Sequence, residues 1–449
     1  MKFKIVIIVL FFSVGLASGQ AKKWTLEECV SYAVDNNLTI EQYELDLENV
    51  RIDESDAFGD FLPSLNASSS ISGNTGLSFD PTTNQAVTTT IFTASGGLSS
   101  SVTLFDGLRN INRLNRAKLN AISSQYRLDD LKDDIRLNVA NAYLQVLSNK
   151  ESLRVFNAQY AVTQQDLKRT KELVDAGVVP RGDLLEVEAT AANQEQQIVN
   201  SENSILISRI NLAQLLQITD YENFDIADES FEIPPSDILN NSPKTIFDKA
   251  VTFRNDIKFS ELNVQLAEKD LKISKGALLP TLGAFFNYNT RYSSQQQFDS
   301  DSGQFFRDSF KDQLWLNDGI SYGAQLNIPI FNGFSVRNNI KRSKINIDKA
   351  KIQLEQDKLT LESTINQAYV DVKSFSKAYE AAQKTVEARR LAYEYSKERF
   401  DVGLMNSFDY SQAQSRVDDA EAQLIRTKYD YIFRLKVLEF YFGIPIMLN

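Results

Sequence analysis

The sequence contains no histidine among its 449 residues, and that absence removes whole classes of chemistry. A Ser-His-Asp or Cys-His nucleophile needs an imidazole, and so does a histidine-based zinc site. Cysteine occurs once, at Cys29, so no intramolecular disulfide can form. The acidic Glu27-Glu28 ahead of it argues against a lipid-anchored thiol, and Cys29 reads as a small buried helix residue. No Gly-x4-Gly-Lys-Ser/Thr phosphate cradle occurs, and no cofactor is expected. Beyond the first twenty residues no segment supplies the ~20 apolar residues of a spanning helix. Basic residues number 48 against 59 acidic ones and are scattered among them, which argues against a nucleic-acid partner. Carboxylates on long solvated helices read as surface charge, not as the paired acid and base of a glycoside hydrolase. The sequence therefore predicts a protein that is not an enzyme.

The N-terminus carries Lys2 and Lys4, an apolar run from Ile5 to Phe12, and then Ala17-Ser18-Gly19, which together predict a secretory signal peptide over 1–19. Without Lys2 and Lys4 the mature chain has 46 basic and 59 acidic residues, a net charge of about −13. Export without a spanning helix leaves a periplasm-like space, or a membrane crossed by strands.

What the chain has instead is a duplication. Phe105 to Ile218 overlays Phe331 to Ile444 at a constant shift of 226 residues and without a gap. Phe105-Asp106-Gly107 meets Phe331-Asn332-Gly333, Ala142-Tyr143 meets Ala368-Tyr369, and Lys171, Glu172, Asp175, Gly177 and Asp183 fall on Lys397, Glu398, Asp401, Gly403 and Asp409. The expected organisation is a first repeat over 20–218, an acidic linker over 219–242 and a second repeat over 243–449. Between Gly107 and Ala176 there is no proline and no internal glycine. Apolar residues recur there at helical spacing, from Leu114 and Ala117 to Val139, Ala142 and Val146, and a helix of ~70 residues would be roughly 100 Å long. A second line, Ala140, Tyr143 and Leu147, runs beside the first, so the helix has neighbours on two sides.

Ahead of each long helix the pattern changes. A helix over Trp24 to Asp60, interrupted at Asp35-Asn36-Asn37, ends at Leu62-Pro63; a second from about Pro243 to Ala277 ends at Leu279-Pro280. Pro63 and Pro280 cannot continue a helix and push their predecessors into extended geometry. Strands are then expected at about 64–74 and 89–105, and again at about 282–292 and 319–331, with polar loops over 74–88 and 293–318. In the second copy Leu282, Ala284, Phe286 and Tyr288 alternate with Gly283, Phe285, Asn287 and Asn289. The Leu-Pro pairs lie 217 residues apart and the Phe-x-Gly turns 226, so the second hairpin is nine residues longer. Strands of about ten residues with long polar loops on one side fit membrane-crossing strands. Four strands per chain cannot close a barrel, so the reading predicts an oligomer. The linker, with its apolar alternation from Phe224 to Ile233, is expected to pack as a small mixed patch on the outside of the helices.

At the far end of the long helices, Gly177 and Gly403 stand where a left-handed residue is wanted, and Val178-Val179 and Leu404-Met405 follow on an exposed turn. Apolar residues there invite a partner, although a plain helix-turn-helix cap is also possible. Asp183-x-x-Glu186 and Asp409-x-x-Gln412 both fit a capping box with the aspartate as cap.

In this order and twice over, the Leu-Pro breaks, Phe-x-Gly turns, Ala-Tyr pairs and Val402-Gly403-Leu404 with Asp409 mark the chain as similar to the TolC-type outer-membrane efflux proteins over essentially the whole mature length. The resemblance implies a homotrimer with a 12-stranded β-barrel in the outer membrane, continuous with a 12-helix periplasmic α-barrel. It implies contact with outer-membrane lipid, a periplasmic adaptor docked at the turns, and an inner-membrane transporter behind it. A matching aspartate lines the closed periplasmic aperture in the family, which points to Asp409 as the ring residue with Asp183 near it. Gln412 stands where a second aspartate is found, and Met405 replaces a basic partner of some members. A passive porin-like protein or an exported structural coiled coil is the alternative: the helix content opposes the first and the paired hairpins the second. The lack of histidine, with only three methionines, leaves no soft-ligand relay for copper or silver and favours organic or protein cargo.

Overall fold

The computed structural model describes residues 23–80, 85–228, 231–233, 235–299 and 301–445. The expected signal peptide over 1–19 lies outside them. The first repeat opens with β1 (Lys23–Trp24), α1 (Leu26–Asn36) and α2 (Leu38–Gly59), followed by β2 (Ser64–Asp80) and β3 (Gln85–Phe105). It continues with α3 (Arg109–Asp175) and α4 (Arg181–Leu215). After the linker strand β4 (Asp225–Ile226) come α5 (Pro243–Phe253), α6 (Asn255–Gly276) and β5 (Thr281–Ser293). Then follow β6 (Gln297–Asp299), β7 (Gln304–Phe306), α7 (Phe310–Leu316), β8 (Gly319–Asn327), α8 (Ser335–Asp401) and α9 (Ser407–Tyr441).

The duplication is legible in helix lengths. Helices α3 and α8 each have 67 residues, α4 and α9 each 35, α1 and α5 each 11, and α2 and α6 each 22. Even the strained backbone repeats: Leu108 and Phe334, 226 apart, are both left-handed, with φ of 63° and 64°. Each short helix pair is broken where a side chain or cap serves the next segment. Thr25 and Glu28 form a capping box on α1, and the Asn37 carboxamide then accepts from the N–H groups of Thr39 and Ile40 to begin α2. Ser242 caps α5, with Pro243 at its first position, and Arg254 separates α5 from α6, so the helix expected from about Pro243 to Ala277 comes in two pieces.

The chain divides into two compact units that cut across the repeats. One holds residues up to Tyr43, Leu128–Arg254 and from Lys358 onward; the other holds Glu44–Arg127 and Asn255–Asp357. In the first, β1 pairs in parallel with β4, and the linker residues Phe224, Ile226 and Phe231 are buried with Leu26, Cys29 and Ala33 of α1. Both apolar lines of α3 enter this core, through Val139, Ala140, Tyr143, Val146 and Leu147, where they meet Leu212 and Leu216 at the end of α4 and Ile432 of α9.

The second unit contains an antiparallel sheet in the order β2-β3-β5-β8. Pro63 and Pro280 are the residues immediately ahead of β2 and β5. Gly107 (φ +72°) presses against Gly276: a Cβ on the first would lie 2.2 Å from the Gly276 carbonyl oxygen, and on the second 2.5 Å from that of Gly107, so neither position admits a side chain. Three expectations are corrected here. The expected loop over 74–88 is strand at 74–80 and 85–88, because β2 and β3 stay paired as far as Asp80 and Gln85, aided by the β-branched run Val87 to Thr90 and the Thr75–Thr90 hydroxyl bond at 2.8 Å, while 81–84 lie outside the described residues. The stretch 293–318 is not bare loop but holds β6, β7 and α7. Strand β8 stops at Asn327, not 331, since Pro329 has no N–H to give. No helix among the described residues is long and apolar enough to cross a membrane.

Candidate functional site

In the first unit, each long helix ends through a left-handed glycine, Gly177 at φ +73° and Gly403 at φ +78°. The Val178 N–H then donates to the Leu173 carbonyl at 2.9 Å and the Leu404 N–H to that of Arg399 at 2.7 Å, which satisfies carbonyls the helix leaves open. This geometry turns Val178 and Leu404 outward, 67% and 70% exposed, with Val179 and Met405 half-buried beneath them.

The aspartates beyond the turns are not caps, contrary to the capping-box reading. Pro180 is the N-cap of α4, and Asp183 is its third residue, half-buried. Asn406 caps α9: its Oδ1 accepts from the Asp409 N–H at 2.8 Å and its Nδ2 donates to Asp409 Oδ2 at 3.0 Å. Proline pre-sets the extended entry in one case, and the Asn406 carboxamide takes the capping role in the other, which leaves the Asp409 carboxylate exposed in a helical first turn. Gln412 is exposed one turn on. Among the described residues no hydrogen bond or ion pair joins Asp183, Asp409 and Gln412.

Behind these residues lies a polar seam that the apolar-periodicity reading passed over. Tyr410 Oη donates to Asp166 Oδ2 at 2.6 Å, shares a bond of 2.8 Å with Tyr393 Oη, and its ring stacks on Phe400 with centroids 4.6 Å apart. Gln414 Nε2 donates to Thr163 Oγ1 at 2.7 Å, Gln194 Nε2 to Asp418 Oδ2 at 2.8 Å, and Gln159 Nε2 to Glu421 Oε2 at 3.0 Å. Arg169 binds Asp401 at 2.6 Å. Positions 410, 414, 418 and 421 form one stripe of α9, so the signal was a helical period of polar side chains rather than apolar ones. Burial pushes the Asp418 carboxyl up to about 7, the Gln194 hydrogen bond opposes this, and Glu421 and Asp419 add to it. Burial, helped by the bond to Asp166, also raises the Tyr410 hydroxyl.

In the second unit, the strand register sorts side chains onto two unlike faces. Leu65, Ile71, Leu98, Phe286, Tyr322 and Leu326 share one; Ser68, Ser70, Ser95, Asn287, Asn289 and Ser321 share the other. Phe285 lies on the polar face because its ring covers Gly323, where a Cβ would come within 3.0 Å of it. Such a sheet has one side suited to hydrocarbon and one to water.

The outer membrane efflux protein family model matches residues 30–216 and 247–443, once in each repeat. The outer membrane protein TolC of Vibrio cholerae is 23% identical over 310 residues, which cover 68% of this chain and 66%, just under two thirds, of that protein. The probable efflux pump outer membrane protein TtgC of Pseudomonas putida is 23% identical over 423 residues, covering 89% of this chain and 79% of that one. The crystal structure of the Campylobacter jejuni CmeC outer membrane channel superposes with a TM-score of 0.77 at 19% identity, over 93% of this chain and 85% of that chain. The chain belongs to the outer membrane efflux protein family and is an outer-membrane channel protein, not an enzyme.

Proposed function

We propose that three copies of the chain close one channel, which takes cargo from an inner-membrane transporter and a periplasmic adaptor and releases it outside the cell. The observation that carries this reading is the open four-stranded sheet, with an apolar face, a polar face, and edge strands β2 and β8 that have no further partner among the described residues. An unpaired edge of this length is a liability in an isolated molecule. Pairing β8 of each copy with β2 of the next makes twelve strands, puts the Ser/Asn face inside and the apolar face on lipid, and abolishes every edge.

In this scheme the helical hairpins form the periplasmic part. Val178, Val179, Leu404 and Met405, with Gly177 and Gly403 shaping their turns, meet the adaptor. Three Asp409 carboxylates narrow the periplasmic mouth, with Asp183 and Gln412 beside them. The names of relatives, an efflux pump component and an alkaline protease secretion protein, agree with organic or protein cargo.

The test is the mass and conductance of detergent-purified protein. A trimer by light scattering that opens ion-conducting pores in a planar bilayer is expected; a monomer without conductance would overturn the reading.

A further inference from the structure

Only two residues in the four strands of the sheet are charged: Asp80, the last of β2, and Arg291. Arg291 pairs in register with Ser95, which pairs with Ser70, so it belongs to the polar face. Asp80 stands ten residues further along β2 than Ser70, roughly 33 Å at strand rise. The backbone carbonyl of Arg291 accepts from Asn317 Nδ2 at 3.1 Å, which anchors the residue, while its guanidinium makes no hydrogen bond or ion pair among the described residues. Of the five aspartates in the following loop, Asp299 accepts from Ser302 and from the Asp301 N–H, and Asp312 from Ser309, while no ion pair joins Asp301, Asp308 or Asp318 to Arg291 among the described residues.

The unengaged guanidinium borders a hollow of about 580 Å³, lined also by Ser68, Ser70, Ser95, Asn289 and Ser321. Its neighbours there are hydroxyls and carboxamides, which can donate to an anion but supply no competing charge. Several of the hydroxyls are already paired, as in Ser70–Ser95 at 2.8 Å, which orders the wall around the one free charge.

We propose that Arg291 is an anion-binding subsite on the polar wall, taking carboxylate, sulfate or phosphate groups of passing solutes. A planar fork of five N–H donors fits such groups bidentately. The identification of that face as a conducting wall rests on the trimeric-channel reading; the subsite itself needs one chain only. In a twelve-stranded barrel the wall radius is roughly 12 Å, so three guanidiniums reaching inward would stand about 10 Å apart. That separation is about one Debye length at 0.1 M salt, and the three charges would then act on one ion together.

Two measurements on full-length protein, native, R291Q and R291K, test this with tripolyphosphate as probe. Isothermal titration in detergent needs no pore: native protein should bind, R291Q about tenfold more weakly, and R291K in between because it keeps the charge and loses the fork. Equal affinity of native protein and R291Q, or no binding by either, overturns the subsite. In planar bilayers, tripolyphosphate added on the extracellular side should reduce native conductance, and R291Q should lose most of that block. Binding in detergent without any conductance would leave the subsite standing and remove the channel reading; conductance with identical titrations of native and R291Q would do the reverse.

Discussion

Around Tyr143, helices α3, α4 and α9 are held together by side chains that have almost nothing polar to satisfy. Around Tyr410 the same three helices meet through hydroxyls, carboxamides and carboxylates. The apolar region gains from every neighbour it excludes from water and has no alternative partner to exchange for. The polar seam keeps its geometry only while its bonds are made, and Gln159 Oε1, Gln194 Oε1 and Ser407 Oγ are buried there without a hydrogen-bond partner. Each such atom costs about 1–3 kcal/mol, and Arg209 Nε and Asp225 Oδ1 beside the apolar core are likewise without a hydrogen-bond partner, so the two regions differ in what joins the helices, made bonds in one and excluded water in the other.

The largest effect that can break this comparison is expected in the apolar region. Tyr143→Ala empties a fully buried site and should lower unfolding stability by about 3–5 kcal/mol, read as a lower denaturant midpoint. A loss below about 1 kcal/mol would mean that the apolar region does not clamp the helices. Next comes the pH dependence of the seam. The Asp418 carboxyl titrates from an ordinary value of 3.8 when exposed to about 7 in the folded chain, so the folded form holds its proton more tightly. Stability from this group is therefore fully present below about pH 4, falls as pH rises, and is lost above about 7. At roughly 1.4 kcal/mol per unit the swing is at most about 4 kcal/mol, and nearer 2 with water access. Asp418→Asn should flatten the slope, measured as amide exchange in α4 and α9 between pH 5 and 8; an unchanged slope would assign it to other groups. The smallest effect on stability is expected at Asp409→Asn, about 0.5 kcal/mol from lost charge at a helix start, because Asn406 provides the cap. Cation selectivity in single-channel recordings should nevertheless fall, and if it does not, the constriction lies elsewhere.

Much of this was legible in the residues themselves. The shift of 226 located two helices of identical length, and the prolines at 63 and 280 marked where helix gives way to strand. Alternation from Leu282 to Tyr288 located the two faces of β5. What escaped was polar. The residues 74–80 and 85–88 are strand although they look like loop, because hydroxyl side chains pair across the strands, as Thr75 does with Thr90. The Tyr410 seam escaped for a related reason: a glutamine at helical spacing looks the same whether it faces water or a threonine on another helix. The caps were misassigned because Asn406 and Pro180, not the aspartates, stand where the chain enters the helix.

Gln313 is buried, and its side-chain amide binds both the N–H and the carbonyl of Ser293, at 2.9 and 3.0 Å, as a paired strand residue would. Strand β8 joins β5 only from Gly319, so this one side chain stands in for the missing end of a strand. Sliding β8 outward by two residues would have to break both of these bonds and the Asn317–Arg291 bond at once. A helix of seven residues thus holds the register of the strand it precedes.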